Sequence, residues 1–112
     1  MKRVVAIIVV LVLSLTLTAC EASEINKAKD IVDEMVVCDI KLIDAKINLE
    51  TAQTARLVAL YQKEIEIYEK QIGYYRDDLA EISAELSPKG KNEVQEYIDQ
   101  AYREAMEQYN NS

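Results

Sequence analysis

Apolar residues in the middle of the chain recur at alternating spacings of three and four positions. The first run is Ala28, Ile31, Met35, Cys38, Leu42, Ala45, Leu49 and Ala52. The second run is Tyr61, Ile65, Tyr68, Ile72, Tyr75, Leu79, Ile82 and Leu86. This spacing places all members of one run on one face of an α-helix. Both runs therefore predict helices that pack as a coiled coil or a helical bundle.

The two runs are out of register by two residues, because continuing the first run would reach Arg56 and Lys63. One interpretation is a continuous heptad-patterned helix over about residues 25–86 whose buried face shifts. The other is a break near residues 53–57 that folds the first run back on the second. The segment 50–55 contains no Gly, Pro, Asn or Asp, so the sequence favours the continuous helix.

The first half of this region has a second apolar stripe beside the heptad run. Its members are Val32, Val36, Ile40, Ile43 and Ile47. A helix that is apolar over more than half of its circumference usually contacts two neighbours. We therefore expect residues 25–52 to contact a protein partner or another copy of the chain, in addition to the second run.

A third helix is predicted over about residues 92–109, after a loop at residues 87–92. Pro88 disfavours helix at Ser87, and Asn92 is a suitable N-cap residue. One half of the helical wheel is apolar and consists of Val94, Tyr97, Ile98, Ala101, Tyr102, Ala105, Met106 and Tyr109. We expect this helix to fold back on Tyr61–Leu86 as a helical hairpin, which makes the predicted fold class all-α.

The charge of the chain narrows the possible functions. From residue 21 onward there are 11 Lys and Arg against 20 Asp and Glu, a net charge of −9. Such a surface repels phosphates, so we expect no nucleic-acid partner. The chain has no His, no phosphate-binding loop and no arrangement typical of a catalytic triad. We therefore predict a protein that is not an enzyme and that has no metal site and no cofactor.

The first 20 residues have the three parts of a secretory signal. Lys2 and Arg3 form a cationic start, an apolar run follows from Val4, and the stretch ends in Leu17-Thr18-Ala19-Cys20. This ending resembles the lipobox of bacterial lipoprotein precursors. An uncleaved transmembrane helix is the alternative, but the 16 apolar residues would measure roughly 24 Å against a hydrocarbon core of about 30 Å.

The resemblance implies cleavage between Ala19 and Cys20 and attachment of lipid to Cys20. Residues 1–19 are then a signal peptide, residues 20–24 a lipidated tether with a helix cap at Ser23, and residues 25–112 a helical domain. The covalent lipid anchors the chain on the extracytoplasmic side of an outer or cell membrane. Two or three acyl chains give stable anchoring, whereas a single one does not.

The tyrosines are candidates for assembly of the protein. We assign this role to the second run and the third helix, through Tyr61, Tyr68, Ile72, Tyr75, Leu79, Tyr97, Tyr102 and Tyr109. One interpretation is that the rings pack between the two helices while the hydroxyls reach water. The other is an exposed aromatic surface for a partner, and Tyr74, on a minor stripe with Leu60 and Ile67, would then be its centre.

Cys38 is the one thiol that remains after lipidation of Cys20. It is interpreted as a small buried apolar residue, with an interchain disulfide as the alternative in an oxidising compartment. Together these features predict a membrane-anchored lipoprotein that acts as a non-catalytic protein-binding or structural component of the cell envelope. A regulatory binder such as an exclusion, immunity or inhibitor lipoprotein is the alternative, followed by a bundle that binds a small apolar ligand.

Overall fold

The computed structural model describes the backbone of residues 2–111 and the side chains of residues 21–111. Three helices follow one another, α1 (Lys2–Thr51), α2 (Ala55–Ala84) and α3 (Pro88–Asn111), with no strand in the described part of the chain. α1 packs against both other helices, whereas α2 and α3 meet only weakly. The all-α helical fold predicted from the heptads is confirmed.

The chain turns at residues 52–54, so the continuous helix over residues 25–86 is wrong. The alternative fold-back is observed. Thr54 has an extended backbone (φ −121°, ψ 149°), and its hydroxyl oxygen accepts a hydrogen bond from the Leu57 N–H at 3.2 Å. Threonine is a favourable N-cap residue, because its side chain satisfies one of the free N–H groups at the start of a helix. Its cap therefore starts a new helix without glycine or proline.

The third helix begins four residues earlier than predicted. Pro88 is its first residue, a position where a missing N–H has no cost. The Ser87 hydroxyl accepts a hydrogen bond from the Gly90 N–H at 3.1 Å. The Lys91 N–H donates to the Ser87 carbonyl at 2.9 Å. Ser87 is therefore the N-cap, and the assignment of the cap to Asn92 was wrong.

Contacts between side chains give the directions of the helices. Cys38 of α1 contacts Gln71 of α2, and Glu34 contacts Tyr75, so α2 runs antiparallel to α1. In the contacts between α1 and α3, the residue numbers of both partners increase together, from Lys29 with Glu93 to Asp44 with Tyr109. These two helices are therefore parallel. The expectation that the third helix would fold back mainly on Tyr61–Leu86 was wrong, because α3 lies along α1.

The buried core lies along α1. Ala28 and Val32 have no exposed surface, and further buried side chains are Ile25, Met35, Val36, Cys38 and Ala45 of α1, with Ile72, Leu79, Leu86 and Val94 from the rest of the chain. The second apolar stripe of residues 25–52 thus finds its second neighbour in α3 of the same chain, except at Ile47, which is 46% exposed. Residues 21–24, expected as a tether capped at Ser23, are helical and belong to α1.

Candidate functional site

The residue that follows the predicted lipid attachment site contacts the turn between α2 and α3. The side chain of Cys20 lies outside the described side chains, but Glu21 is described. Its carboxylate accepts a hydrogen bond from the Ser87 N–H at 2.5 Å. Hydrogen bonds from Ser87, and to a smaller extent the charge of Lys89, hold the pKa of Glu21 below its usual value. This hydrogen bond joins Glu21 to a residue that lies 66 positions later in the chain.

Gly90 makes room for this contact. It is buried in the first turn of α3, and a Cβ atom at this position would lie 2.7 Å from the Glu21 Oε1 and 3.3 Å from the Leu86 Cβ. Atoms at 2.7 Å overlap, so any side chain here would displace the carboxylate. The missing side chain of Gly90 therefore lets Glu21 reach the N-terminus of α3, where the helix dipole favours a negative charge.

The predicted assembly residues of α2 face α1. Ile72 and Leu79 are buried, and Tyr61, Tyr68 and Tyr75 are half-buried beside them. The Tyr75 hydroxyl is hydrogen-bonded to the Glu34 carboxylate, and this bond raises the pKa of Tyr75. These side chains pack within one chain.

The predicted assembly residues of α3 also contact α1, each through a carboxylate. Tyr97 donates a hydrogen bond to Asp33 at 2.7 Å, Tyr102 donates to Asp39, and Tyr109 donates to Asp44 at 3.1 Å. The pKa of Tyr97 is raised mainly by its carboxylate partner. The pKa values of Tyr102 and Tyr109 are raised by burial first and by the carboxylate second. The three rings pack between helices as expected, but their hydroxyls end on aspartates of α1.

The sequence pattern did not single out these three aspartates. Asp33, Asp39 and Asp44 are six and five residues apart; Asp33 and Asp44 border one side of the second apolar stripe and Asp39 borders the other. The three tyrosines of α3 have comparable spacings. Recognising the match would have required knowing that α1 and α3 are parallel.

An apolar stripe remains exposed on the outer face of α2. Leu60, Ile67 and Tyr74 follow one another at heptad spacing and are 50%, 46% and 68% exposed. Arg56, Lys63 and Lys70 lie beside this stripe and are exposed as well. The structure thus places the minor stripe outside the packed core, and its role as a docking surface stays a prediction.

Cys38 lies in the contact between α1 and α2. Only 7% of its surface is exposed, and it is a free thiol. The Sγ donates a hydrogen bond to the Gln71 Oε1 at 3.3 Å, and burial raises the pKa of the Cys38 thiol. Burial and a raised pKa both make a thiol unreactive.

Within the described residues, no three or more His, Cys, Asp and Glu side chains are placed to hold a metal ion. The same part of the chain contains no helix with the length and apolarity to cross a membrane. Comparisons with protein-family models, with curated proteins and with solved structures found no match to this chain.

Proposed function

We propose that this protein is a membrane-anchored bacterial lipoprotein that acts as a non-catalytic protein-binding or structural component of the cell envelope. The observation that supports the anchor is the order of cationic start, apolar run and Leu17-Thr18-Ala19-Cys20. The diacylglycerol on Cys20, with a further acyl chain on the new amino group, provides more than the one chain that gives only marginal binding.

The exposed stripe of α2 supports a protein-binding role. Its three apolar side chains, Leu60, Ile67 and Tyr74, are left in water although the rest of the heptad pattern is used within the chain. Burying them against a partner would be favourable by about 25 cal/mol per Å² of apolar surface. Tyrosine is also enriched at interfaces, because its ring is apolar and its hydroxyl keeps a polar partner.

The anchor is tested by Cys20→Ala, with Cys38→Ser as the matched control because it removes the other cysteine. We expect Cys20→Ala to abolish incorporation of a radiolabelled fatty acid, to leave the signal uncleaved and to change membrane extraction. Cys38→Ser should incorporate lipid like the parent protein. Normal processing and lipid labelling of Cys20→Ala would refute the lipoprotein proposal.

The binding role is tested with a photo-crosslinking amino acid in place of Ile67. The matched control is Glu69, which is exposed on the same helix about 200° further around its axis. Cross-linking at residue 67 to an abundant envelope protein supports the structural role, and cross-linking to one scarce target supports the regulatory alternative. The absence of any product specific to residue 67 would argue against protein binding through this stripe.

A further inference from the structure

The end of the bundle next to the anchor is defined by the contact between Glu21 and Ser87. Because Glu21 directly follows Cys20, this contact places the turn between α2 and α3 at the level of the lipid attachment site. The turn at residues 52–54 lies at the other end. The 31 helical residues from Glu21 to Thr51 separate the two ends by about 45 Å.

The charge of the chain is distributed unequally between these two ends. The segments 21–29 and 81–93, which include Glu81 next to Lys27, together contain four Lys and five Glu, a net charge of −1. Of the net charge of −9 of residues 21–112, −8 therefore belongs to the rest of the molecule. Lys89 and Lys91 are exposed in the first turn of α3. Anionic headgroups repel the strongly acidic part of the body and repel this nearly neutral end only weakly.

The first turn of the mature α1 would fray without a second contact, because the N–H groups at a helix start have no partners within the helix. The Glu21–Ser87 hydrogen bond joins this turn to α3. Because Gly90 has no side chain, the first turn of the mature α1 and the first turn of α3 come into direct contact. The body of the bundle is thus connected to Glu21, the residue after Cys20, in two ways. One is the backbone of α1, and the other is the hydrogen bond to Ser87 in the turn between α2 and α3.

We propose that the surface formed by residues 21–22 and 87–91, which we term the basal surface, lies on the lipid headgroups, and that the Glu21–Ser87 contact holds the body upright on the membrane. The inference rests on the proposed function, because it requires lipid on Cys20. It adds an orientation to that function. The basal surface faces the lipid, and the turn at residues 52–54 is the distal end.

The experiment uses the lipidated protein, purified from membranes with Cys38→Ser, in vesicles that contain phosphatidylglycerol and a headgroup-attached quencher. A fluorophore is attached at Asn92→Cys, next to the basal surface, or at Gln53→Cys, at the distal end. We expect strong quenching at residue 92 and none at residue 53. Adding Glu21→Ala should reduce this difference, because the body then pivots about Cys20.

The matched control is Glu24→Ala, which removes the same charge one turn further along α1. Glu24 pairs with Lys27 on its own helix at 3.1 Å. This variant should keep the full difference in quenching between residues 92 and 53. Circular dichroism verifies that each variant is folded. If Glu21→Ala unfolds, Glu21→Gln keeps an acceptor oxygen and should retain the difference.

Equal quenching at both labels in the parent protein would overturn the upright orientation. Identical behaviour of Glu21→Ala and Glu24→Ala would overturn the role of the Glu21–Ser87 contact. Mass spectrometry of Cys20 and flotation of the vesicles are measured first. A chain without lipid would refute the anchor and with it this orientation, whereas a lipidated chain with equal quenching refutes the orientation alone.

Discussion

The tyrosines of α3 show how single polar contacts select the neighbour of a helix. Tyr97, Tyr102 and Tyr109 each find a carboxylate on α1. A phenylalanine would provide the same ring surface but no hydroxyl, and the chain contains no phenylalanine. The apolar half of α3 could cover any apolar face. These hydroxyls, however, require hydrogen-bond acceptors at matching positions along the axis of the neighbouring helix. Asp33, Asp39 and Asp44 supply them, so α3 lies along α1.

Tyr102→Phe tests the energetic value of such a contact. The Tyr102 hydroxyl is half-buried and donates to Asp39, so its removal leaves that carboxylate without this donor. We expect a loss of about 1–2 kcal/mol in the free energy of unfolding, measured by urea denaturation. Tyr74→Phe, at a residue that is 68% exposed, should change it by much less. Equal effects of the two substitutions would contradict the assigned role of the hydroxyl.

The raised pKa values of Tyr75, Tyr97, Tyr102 and Tyr109 predict a loss of stability at alkaline pH. A pKa that is higher in the folded state gives a contribution that is complete below the unfolded value of about 10 and is lost as the pH rises through the folded value. The free energy of unfolding should therefore fall with increasing pH above about 10.

The measurement is urea denaturation at a series of alkaline pH values. Lysines also titrate in this range, so the informative quantity is the difference between variants. Tyr102→Phe removes one of the four groups and should give a shallower decrease of stability with pH. A decrease as steep as that of the parent protein would show that Tyr102 does not keep its proton preferentially in the folded state.

At the scale of helices, the heptad spacing was sufficient to predict the elements, but their ends depended on single side chains. The hydroxyl of Thr54 caps α2, and the hydroxyl of Ser87 caps α3. Thr54 lies where the sequence favoured a continuous helix, and Ser87 lies in the predicted loop. The absence of Gly and Pro at residues 50–55 was misleading, because a threonine cap can start a helix without them. The shift in register between the two runs was the more informative signal.

Thr54→Ala tests the cap of α2. Loss of the hydrogen bond to the Leu57 N–H should cost about 0.5–2 kcal/mol of stability, measured as a shift of the denaturation midpoint in urea. Thr51→Ala is the control, because the Thr51 hydroxyl donates to the Ile47 and Asn48 carbonyls of its own helix and satisfies no N–H group of α2. Thr54→Ser should restore most of the loss. If Thr51→Ala were the more damaging change, the turn would be stabilised by another contact.

The two glycines of the chain give different expectations for the same substitution. Gly73 lies inside α2, and a Cβ atom there would meet nothing within 4 Å. Gly73→Ala should therefore stabilise the protein by about 1 kcal/mol, because alanine favours the helix. Gly90→Ala should lose part or all of this gain, since its Cβ displaces the Glu21 carboxylate and crowds Leu86.

Thermal unfolding followed by circular dichroism compares the two variants. The melting temperature should rise for Gly73→Ala and rise less or fall for Gly90→Ala. Combining Gly90→Ala with Glu21→Ala provides a further comparison, because the displaced carboxylate is then absent. An equal gain from both single substitutions would show that the close approach at Gly90 has no energetic consequence.

At the scale of the whole molecule, α1 is the central helix, and this arrangement was only half predictable. The width of the apolar face of residues 25–52 correctly required two neighbours. It did not identify them, because a helix from the same chain and one from another molecule cover such a face equally well. The observed choice depends on contacts between distant residues, such as Glu21–Ser87 and Asp33–Tyr97, which leave no periodic trace in the sequence.

The buried thiol of Cys38 makes the integrity of the whole bundle measurable. Because it lies between α1 and α2 at 7% exposure, a thiol reagent should react with it only when these helices separate. We expect slow labelling in buffer and an acceleration with urea that follows global unfolding. A non-reducing gel should show monomer. A dominant dimer band that disappears in Cys38→Ser would mean that the contact between α1 and α2 opens in the native protein, and that two chains can pair through the face that this structure assigns to α2.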